Sequence, residues 1–190
     1  KMDSYKGAKV GCVIECENGY VVVPDYSGAT AFDKSGKQIQ KFTGKDGELH
    51  LDMEDGGFIA VRPNTRMSIT TYRAEGDSED KGIFSLLQGT FRSVTGWIGK
   101  YNPRSYQVRT PTATIGVRGT DHEPLVIPQG STEGEPGSYD KVNVGGSYIQ
   151  TRHGSIDVKP NQAGFAPWKG RPVPRLLPQV PVFFKATRYE

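Results

Sequence analysis

Residues 106–120 read Tyr-Gln-Val-Arg-Thr-Pro-Thr-Ala-Thr-Ile-Gly-Val-Arg-Gly-Thr, and this stretch decides the fold class. Its β-branched side chains alternate with small residues and stop at glycines, which is typical of a strand that must turn. Gly116 and Gly119 are expected to permit a tight bend or a close strand approach rather than to bind a ligand. Thr110, Thr112 and Thr114 are expected to form a row on one face, which supports cross-strand pairing and is also able to present hydroxyls to ice, a sugar or another sheet.

The composition of the whole chain also favours an all-β protein. Of the 190 residues, 35% are hydrophobic, which is low for a compact core, but 24 Gly, 13 Pro and 9 Tyr indicate many short strands joined by tight turns. This length suffices for one ordinary domain or two small ones. Because no window approaches 18 apolar residues and no leader-like segment precedes Lys1, we expect neither a membrane span nor a retained signal peptide, although a mature exported chain would look the same.

Turn residues divide the first half of the chain into short strands. Hairpins are predicted over residues 10–26, closed by Asn18-Gly19, and over residues 29–42, closed by residues 33–36. A third pair of strands follows over residues 47–61. Residues 66–72 alternate strictly, and an acidic loop is expected over residues 74–81.

The second half contains the best helix candidate. Apolar residues at helical spacing predict a short helix over residues 91–102, although Gly96 and Gly99 weaken it. Residues 82–91 are interpreted as a buried strand in preference to a helical turn. The remaining predictions are a loop over 133–139, a strand pair over 141–158 and a proline-rich segment from 160 onward that lies across the surface or projects from it.

These predictions combine into one architecture. We expect a rolled or sandwich-like β domain over residues 46–159, with an N-terminal hairpin extension over residues 1–45 and a proline-rich extended strap over residues 160–190.

The two cysteines lie four residues apart on one predicted strand. Cys12 and Cys16 would then be about 13 Å apart, beyond the roughly 7 Å reach of a disulfide. With an Asn18-Gly19 turn, Cys16 would face Val21 and not Cys12. Buried thiols are favoured over intermolecular bridges.

Three runs of sequence carry a family resemblance. They are residues 49–69 with their Asp-Gly and Pro-Asn turns, residues 82–96 with Leu-Leu-Gln-Gly-Thr-Phe-Arg, and residues 110–121. Together with residues 136–144 and 160–165, they resemble FecR domains over about residues 48–188. The resemblance implies an extracytoplasmic interaction or signalling module, periplasmic or secreted.

The N-terminal segment does not fit that family. Residues 10–44 instead resemble, more weakly, part of the C-terminal sheet domain of Gfo/Idh/MocA-type oxidoreductases, although any two hairpins with these turns would look alike. Such enzymes need a Gly-x-Gly-x-x-Gly turn, which this sequence lacks, so dehydrogenase activity is excluded for this chain alone. The strands that usually open a FecR domain are thus replaced, either by these hairpins in cis or by a strand donated in trans.

Charge is distributed unevenly along the chain. Residues 81–120 contain no Asp or Glu, whereas residues 46–55 and 75–80 are acidic. The basic window supplies the candidate partner-binding residues Arg92, Trp97, Lys100, Tyr101, Arg104, Arg109 and Arg118. Solvated strand faces are the plain alternative, and self-association of opposite charges, an anionic envelope polymer and, less favoured, nucleic acid are the others.

No pattern in the sequence indicates catalysis. His50, His122 and His153 are scattered, and in a strand Asp121 and Glu123 face away from His122, so this run cannot chelate a metal alone. No Gly-x-Ser-x-Gly elbow occurs. We therefore expect no catalytic, cofactor-binding or metal-binding residues.

The sequence therefore predicts a non-enzymatic, extracytoplasmic FecR-like module that binds a protein or envelope partner. Two alternatives stay open. One is a secreted structural subunit that assembles into an oligomer or filament through strand donation and opposite-charge faces. The other is binding of an anionic polymer or sugar.

Overall fold

A computed structural model describes residues 12–25, 28–43 and 48–184. Over these ranges the chain forms sixteen strands and one short helix, which confirms the all-β prediction. In chain order they are β1 Cys12–Cys16, β2 Gly19–Asp25, β3 Gly28–Asp33, β4 Gln38–Thr43, β5 Leu49–Asp52, β6 Phe58–Val61, β7 Arg66–Arg73, β8 Lys81–Val94, α1 Trp97–Tyr101, β9 Tyr106–Arg109, β10 Thr114–Val117, β11 Asp121–Ile127, β12 Gly137–Val144, β13 Ser147–Thr151, β14 Gly154–Val158, β15 Ala163–Pro167 and β16 Arg175–Leu176.

One long strand, β8, belongs to two sheets at once. Its first half pairs with β7 and β9, and its second half pairs with β6 and β11. The first sheet runs β4-β3-β2-β1-β7-β8-β9-β10-β13-β14, and the second runs β5-β6-β8-β11-β12-β15-β16. Two of the pairs, β1 with β7 and β8 with β9, are parallel.

The change of sheet occurs at Gly89. This residue has φ +81°, and a Cβ added to it would lie 2.5 Å from Thr65 Oγ1 and 2.6 Å from Thr65 Cα. The Thr65 hydroxyl donates to the Thr90 carbonyl oxygen at 2.9 Å and accepts from the Thr90 N–H at 3.1 Å. Only glycine combines this backbone conformation with so close an approach.

The main core lies between the two sheets. It contains Phe84, Leu86 and Phe91 from β8, together with Ile115 and Ile149 from the first sheet, all at most 1% exposed. A second cluster covers the outer face of the second sheet, where the tilted rings of Tyr139 and Phe165 pack at 4.3 Å between centroids. The C-terminal side chains that pack against this face are Leu177, Val180, Phe183 and Phe184.

The N-terminal hairpins extend the first sheet in cis, because β1 runs parallel to β7. Residues 10, 11 and 26 of the first predicted hairpin lie outside the described residues. The turn in that hairpin is one residue earlier than predicted, since Cys16 pairs with Gly19. Cys16 is a free, exposed thiol, so the prediction that it is buried is wrong.

The second half of the chain departs from prediction in three places. The helix is confined to Trp97–Tyr101. Residues 91–94 continue β8 instead, because they pair with β6 and β11. Residues 137–139, predicted as loop, begin β12. The proline-rich segment contributes β15 and β16 to the second sheet before residues 177–184 cross its face. No described helix has the length and apolarity that a membrane crossing requires.

Replacing Gly89 with Ala tests the corner of β8. We expect a loss of roughly 3 kcal/mol in the free energy of unfolding, because positive φ costs about 1–2 kcal/mol and the contact with Thr65 adds to it. Gly130 is a matched control, since its φ of +84° is the same but a Cβ there would meet nothing within 4 Å. Urea denaturation of both variants measures the difference, and equal losses would show that the corner does not need close approach.

Candidate functional site

The structure divides the seven predicted partner-binding residues among three places. Arg92 lies on the outer face of the second sheet, and Arg109 ends β9 at the turn into β10. The other residues surround α1 or the turn after β10, and these are Trp97, Lys100, Tyr101, Arg104 and Arg118. The seven residues, although close in sequence, therefore do not form a single basic surface.

Arg92 is held in an ion-pair network rather than presented to a partner. Its Nε and Nη2 atoms lie 3.0 and 2.8 Å from the two carboxylate oxygens of Asp121. Beside it, Glu123 accepts from Arg62 and from Lys141, each at 2.8 Å. Planar, two-pronged pairing of this kind is geometrically specific. Arg92 is therefore excluded from the candidate site.

The carboxylate of Asp121 remains charged within this network. Burial alone would raise its pKa, but hydrogen bonds from Arg92 and Asn143 outweigh that effect and lower the pKa below the usual value. Asp121 and Glu123 lie on one face of β11 and His122 on the other, as predicted. Residues 121–123 therefore belong to two different hydrogen-bond networks, one on each face of β11.

His122 belongs to a buried polar chain that the sequence did not reveal. Its Nδ1 lies 2.8 Å from Asp140 Oδ1, and the other oxygen of Asp140 accepts from the Ser147 hydroxyl at 2.5 Å. All three residues are at most 2% exposed. Among the described residues no cluster of His, Cys, Asp and Glu is arranged to hold a metal. The network ties β11, β12 and β13 together inside the core.

The helix α1 is fixed at several points. The Trp97 backbone N–H donates to the Asp55 carbonyl oxygen at 3.0 Å, and the Gly119 N–H donates to the Gly99 carbonyl oxygen at 3.0 Å. Ile98 is 1% exposed and anchors the helix in the core. These contacts hold α1 against the end of β8 and leave its outer side in solvent.

A buried carboxylate, Asp80, holds the indole of Trp97. Its Oδ2 accepts from Trp97 Nε1 at 3.0 Å and from the Gly76 N–H at 2.8 Å, while its Oδ1 accepts from the Glu75 N–H at 2.8 Å. Burial alone would raise the pKa of Asp80, but these hydrogen bonds lower it overall. The acidic run in the sequence was the only signal for this anchor.

The outer side of α1 forms the candidate site, which we call the α1 surface and define as Trp97, Lys100, Tyr101, Arg104 and Arg118. Tyr101 is 86% exposed, which is unusual for a large aromatic side chain. Lys100 and Arg104 are exposed beside it. The Lys100 stem lies near Gly119, since a Cβ on that glycine would be 3.5 Å from Lys100 Cγ. The exposed ring of Tyr101 thus follows Lys100 in the helix, and Lys100 lies beside the turn that carries Arg118.

The acidic loop beside α1 is partly paired within the chain by Arg73. Arg73 Nη2 lies 2.8 Å from Glu75 Oε2 and 2.7 Å from Asp77 Oδ2. The Arg73 hydrogen bond is the main cause that lowers the pKa of Asp77 to about 2. At Arg118 the partner is Asp157 at 3.2 Å, but both side chains are about 60% exposed, so this pair is weak.

The prediction that Thr110, Thr112 and Thr114 form a row on one face of a strand is wrong. Thr110 and Thr112 lie in the turn between β9 and β10, and only Thr114 is in a strand. Both turn hydroxyls contact the hydroxyl of Ser138, at 2.7 and 2.6 Å respectively. The structural role predicted for Gly116 is confirmed, because a Cβ there would lie 2.2 Å from Tyr148 Cζ on the neighbouring strand, and Gly119 has φ +61°.

Comparisons with known proteins bear on this arrangement. A family model described as FecR protein matches residues 40–133. A crystal structure of a candidate anti-sigma factor from Parabacteroides distasonis ATCC 8503 is 14% identical, with a TM-score of 0.50, and the alignment covers 70% of this chain and 57% of that one. A second such structure from the same organism has 14% identity, a TM-score of 0.49 and coverages of 73% and 60%.

At this identity the likeness concerns the fold alone, and the chain spans about three fifths of the length of these structures. No curated protein matches the sequence. The FecR match ends at residue 133, so the resemblance predicted for residues 134–188 stays a prediction, as does the oxidoreductase resemblance of residues 10–44.

Asp80→Asn tests how the α1 surface is positioned. An amide would place an NH2 group against one of the N–H donors around Asp80, so we expect Trp97 to become more exposed. In a Trp168→Phe background Trp97 is the remaining tryptophan, since the chain has two. Its emission should shift to longer wavelength in Asp80→Asn but not in the control Glu79→Gln, an exposed neighbour.

Acid should produce the same shift in the Trp168→Phe parent. Because the folded pKa of Asp80 is depressed, its contribution is present above the ordinary aspartate pKa and is lost only as pH falls through the lowered value. A transition at or above pH 4 would contradict this account.

Proposed function

We propose, because a family model described as FecR protein matches residues 40–133, that this chain is a non-enzymatic, extracytoplasmic signalling module that binds a protein partner through the α1 surface. The observation that carries the proposal is Tyr101, an exposed aromatic side chain on a helix fixed by backbone hydrogen bonds. Tyrosine and arginine are the residue types that dominate binding energies at protein interfaces. A fixed helix also loses little entropy when it binds.

The charges of the α1 surface select the kind of partner. Lys100, Arg104 and Arg118 are the exposed cations of the α1 surface, and Arg73 pairs with Glu75 and Asp77 of the neighbouring acidic loop. A partner with an acidic patch would therefore be attracted and oriented by these cations. A cationic partner would be repelled.

The side chains of the types that catalysis most often uses are engaged inside the core, which favours a binding function over an enzymatic one. The His122, Asp140 and Ser147 side chains are buried and bonded to one another. In the part of the chain that the structure describes, no buried polar side-chain atom lacks a hydrogen-bond partner. This satisfied core suits a rigid scaffold.

Two features weigh against the structural-subunit alternative. Strand β1 of the same chain occupies the edge of β7, so that edge is not open to a donated strand. Among residues 75–80, Glu75 and Asp77 pair with Arg73, which leaves less negative charge for contact between copies.

Size-exclusion chromatography distinguishes the signalling module from the structural subunit. We expect one monomer peak over an about fiftyfold concentration range, at both about 50 and about 500 mM salt, because exposed ion pairs between copies would be screened at the higher value. Oligomers that grow with concentration and dissociate in high salt would favour the subunit instead.

Site-specific photocrosslinking in the native host tests the α1 surface. A benzophenone amino acid at position 101 should crosslink to one partner protein, because this side chain is 86% exposed at the proposed interface. The matched control is position 39, where Ile39 is 64% exposed on β4 of the N-terminal hairpins.

Charge reversal then links the crosslink to the cations. Combining Lys100→Glu with Arg104→Glu should reduce the adduct at position 101 by about tenfold, as expected for the loss of complementary charge at an interface. Equal crosslinking from positions 39 and 101, or an adduct that is insensitive to both charge reversals, would contradict the proposal.

A further inference from the structure

A groove at the far end of the β9–β10 hairpin is separate from the α1 surface. It has a volume of about 690 Å³ and lies between the β9–β10 turn, the β13–β14 turn and the loop that follows β15. The lining side chains that matter for binding are Thr112, Thr114, Gln150, Arg152 and Trp168. This volume is within the range of roughly 300–1,000 Å³ that is usual for small-ligand sites.

The walls of the groove are fixed before any ligand binds. Thr112 Oγ1 lies 3.1 Å from the Ala166 carbonyl oxygen, which joins the β9–β10 turn to β15. The Thr151 hydroxyl donates to the Pro172 carbonyl oxygen at 2.6 Å, and the Trp168 N–H donates to the Pro136 carbonyl oxygen at 3.0 Å. A preformed groove keeps the entropic cost of binding low.

Several polar groups of the groove are unused. The side chains of Thr114, Gln150 and Trp168 make no hydrogen bond to any residue that the structure describes. The strand register places Thr114 opposite Arg109 on one side and opposite Gln150 on the other. Because opposed residues of antiparallel strands share a face, Arg109 stands in the same row as these two groups.

The groove is positively charged. Its lining includes Arg152 and contains no Asp or Glu, and Lys169 and Arg171 are exposed on the adjoining loop. Arg152 and Arg171 both approach the ring of His153, with Nε atoms 3.1 and 3.4 Å from its nitrogens. Burial and these two cations lower the pKa of His153, so its ring is neutral at pH 7.

We propose that this groove binds an acidic glycan, a short run of sugar rings that carry carboxylates. Hydroxyl and amide side chains match the alternating donors and acceptors of sugar hydroxyls, and guanidinium groups pair with carboxylates in two-pronged geometry. Trp168 supplies an apolar ring face beside them. The site extends the chain's binding beyond the protein partner of the α1 surface.

Other anionic ligands fit the groove less well. Single-stranded nucleic acid binds to successive aromatic side chains, and Trp168 is the one aromatic residue in this lining. A peptide that adds a strand needs an open edge, but β10 is paired with β9 and β13. The glycan is the class that uses the groups present.

Isothermal titration calorimetry with trigalacturonic acid, an alginate trisaccharide and a hyaluronan tetrasaccharide tests the proposal. We expect at least one to bind, and its methyl ester, which keeps the rings but removes the charge, to bind at least tenfold more weakly. Arg152→Gln should weaken binding about tenfold, and Gln150→Ala about threefold to tenfold.

The matched control is Arg118→Gln, which removes the same charge at the α1 surface and should change glycan affinity less than twofold. The crosslinking experiment relies on Lys100→Glu and Arg104→Glu, neither of which lines the groove, so the two proposals can fail separately. Trp168→Ala should abolish binding, and if it fails to fold by circular dichroism, Trp168→Phe should bind within about threefold of the parent.

Three results would overturn the glycan assignment. The first is no binding of any of the three acidic oligosaccharides. The second is equal affinity for an acid and its methyl ester. The third is equal affinity for a hexathymidylate probe together with no effect of Gln150→Ala, since that would show attraction to any polyanion.

Discussion

The fold depends on one residue at which a strand passes from one sheet to another. Before Gly89, β8 lies between β7 and β9, and after it the same strand lies between β6 and β11. Phe84 and Phe91, one on each side of the corner, are 1% and 0% exposed in the same core. A side chain at position 89 would meet the backbone of Thr65, so the sharp approach of β7 to the corner requires glycine. The two sheets face each other because this single strand cannot remain straight.

The candidate site follows from where β8 ends. Thr95, directly after the strand, forms two hydrogen bonds with Thr120. The Thr95 N–H donates to the Thr120 carbonyl oxygen at 3.0 Å, and the Thr120 N–H donates to the Thr95 hydroxyl oxygen at 2.9 Å. That exchange holds the turn after β10 against the start of α1. Lys100 and Arg118 are therefore on one surface although eighteen positions separate them in the sequence. The rigidity of the site is inherited from the core rather than created by the surface residues.

Local signals predicted the strands better than the contacts between them. Alternation and turn residues were sufficient for the all-β class and for the hairpin of β3 and β4, because both are determined by neighbouring residues. Helical spacing at residues 91–98 was misleading, since Phe91 and Val94 are paired with strands that are distant in sequence, and Phe91 is buried there. The pairing of Arg92 with Asp121 could not be predicted, because it depends on the register between β8 and β11.

The basic window shows why charge read along a sequence is a poor guide to a surface. The window contains no carboxylate, yet the fold brings Asp121 to Arg92 and Asp157 to Arg118 from outside it. The β9–β10 hairpin then separates two of its cations. Arg109 precedes the turn, whereas Arg118 follows the strand that returns from it, so they lie at opposite ends of a stiff pair of strands about 10 Å long. Because Val108 and Ile115 inside this hairpin are fully buried, the two ends are held apart and cannot act on one ligand. One sequence feature therefore supplies two surfaces of different chemistry, with an exposed tyrosine at one end and hydroxyl and amide groups at the other.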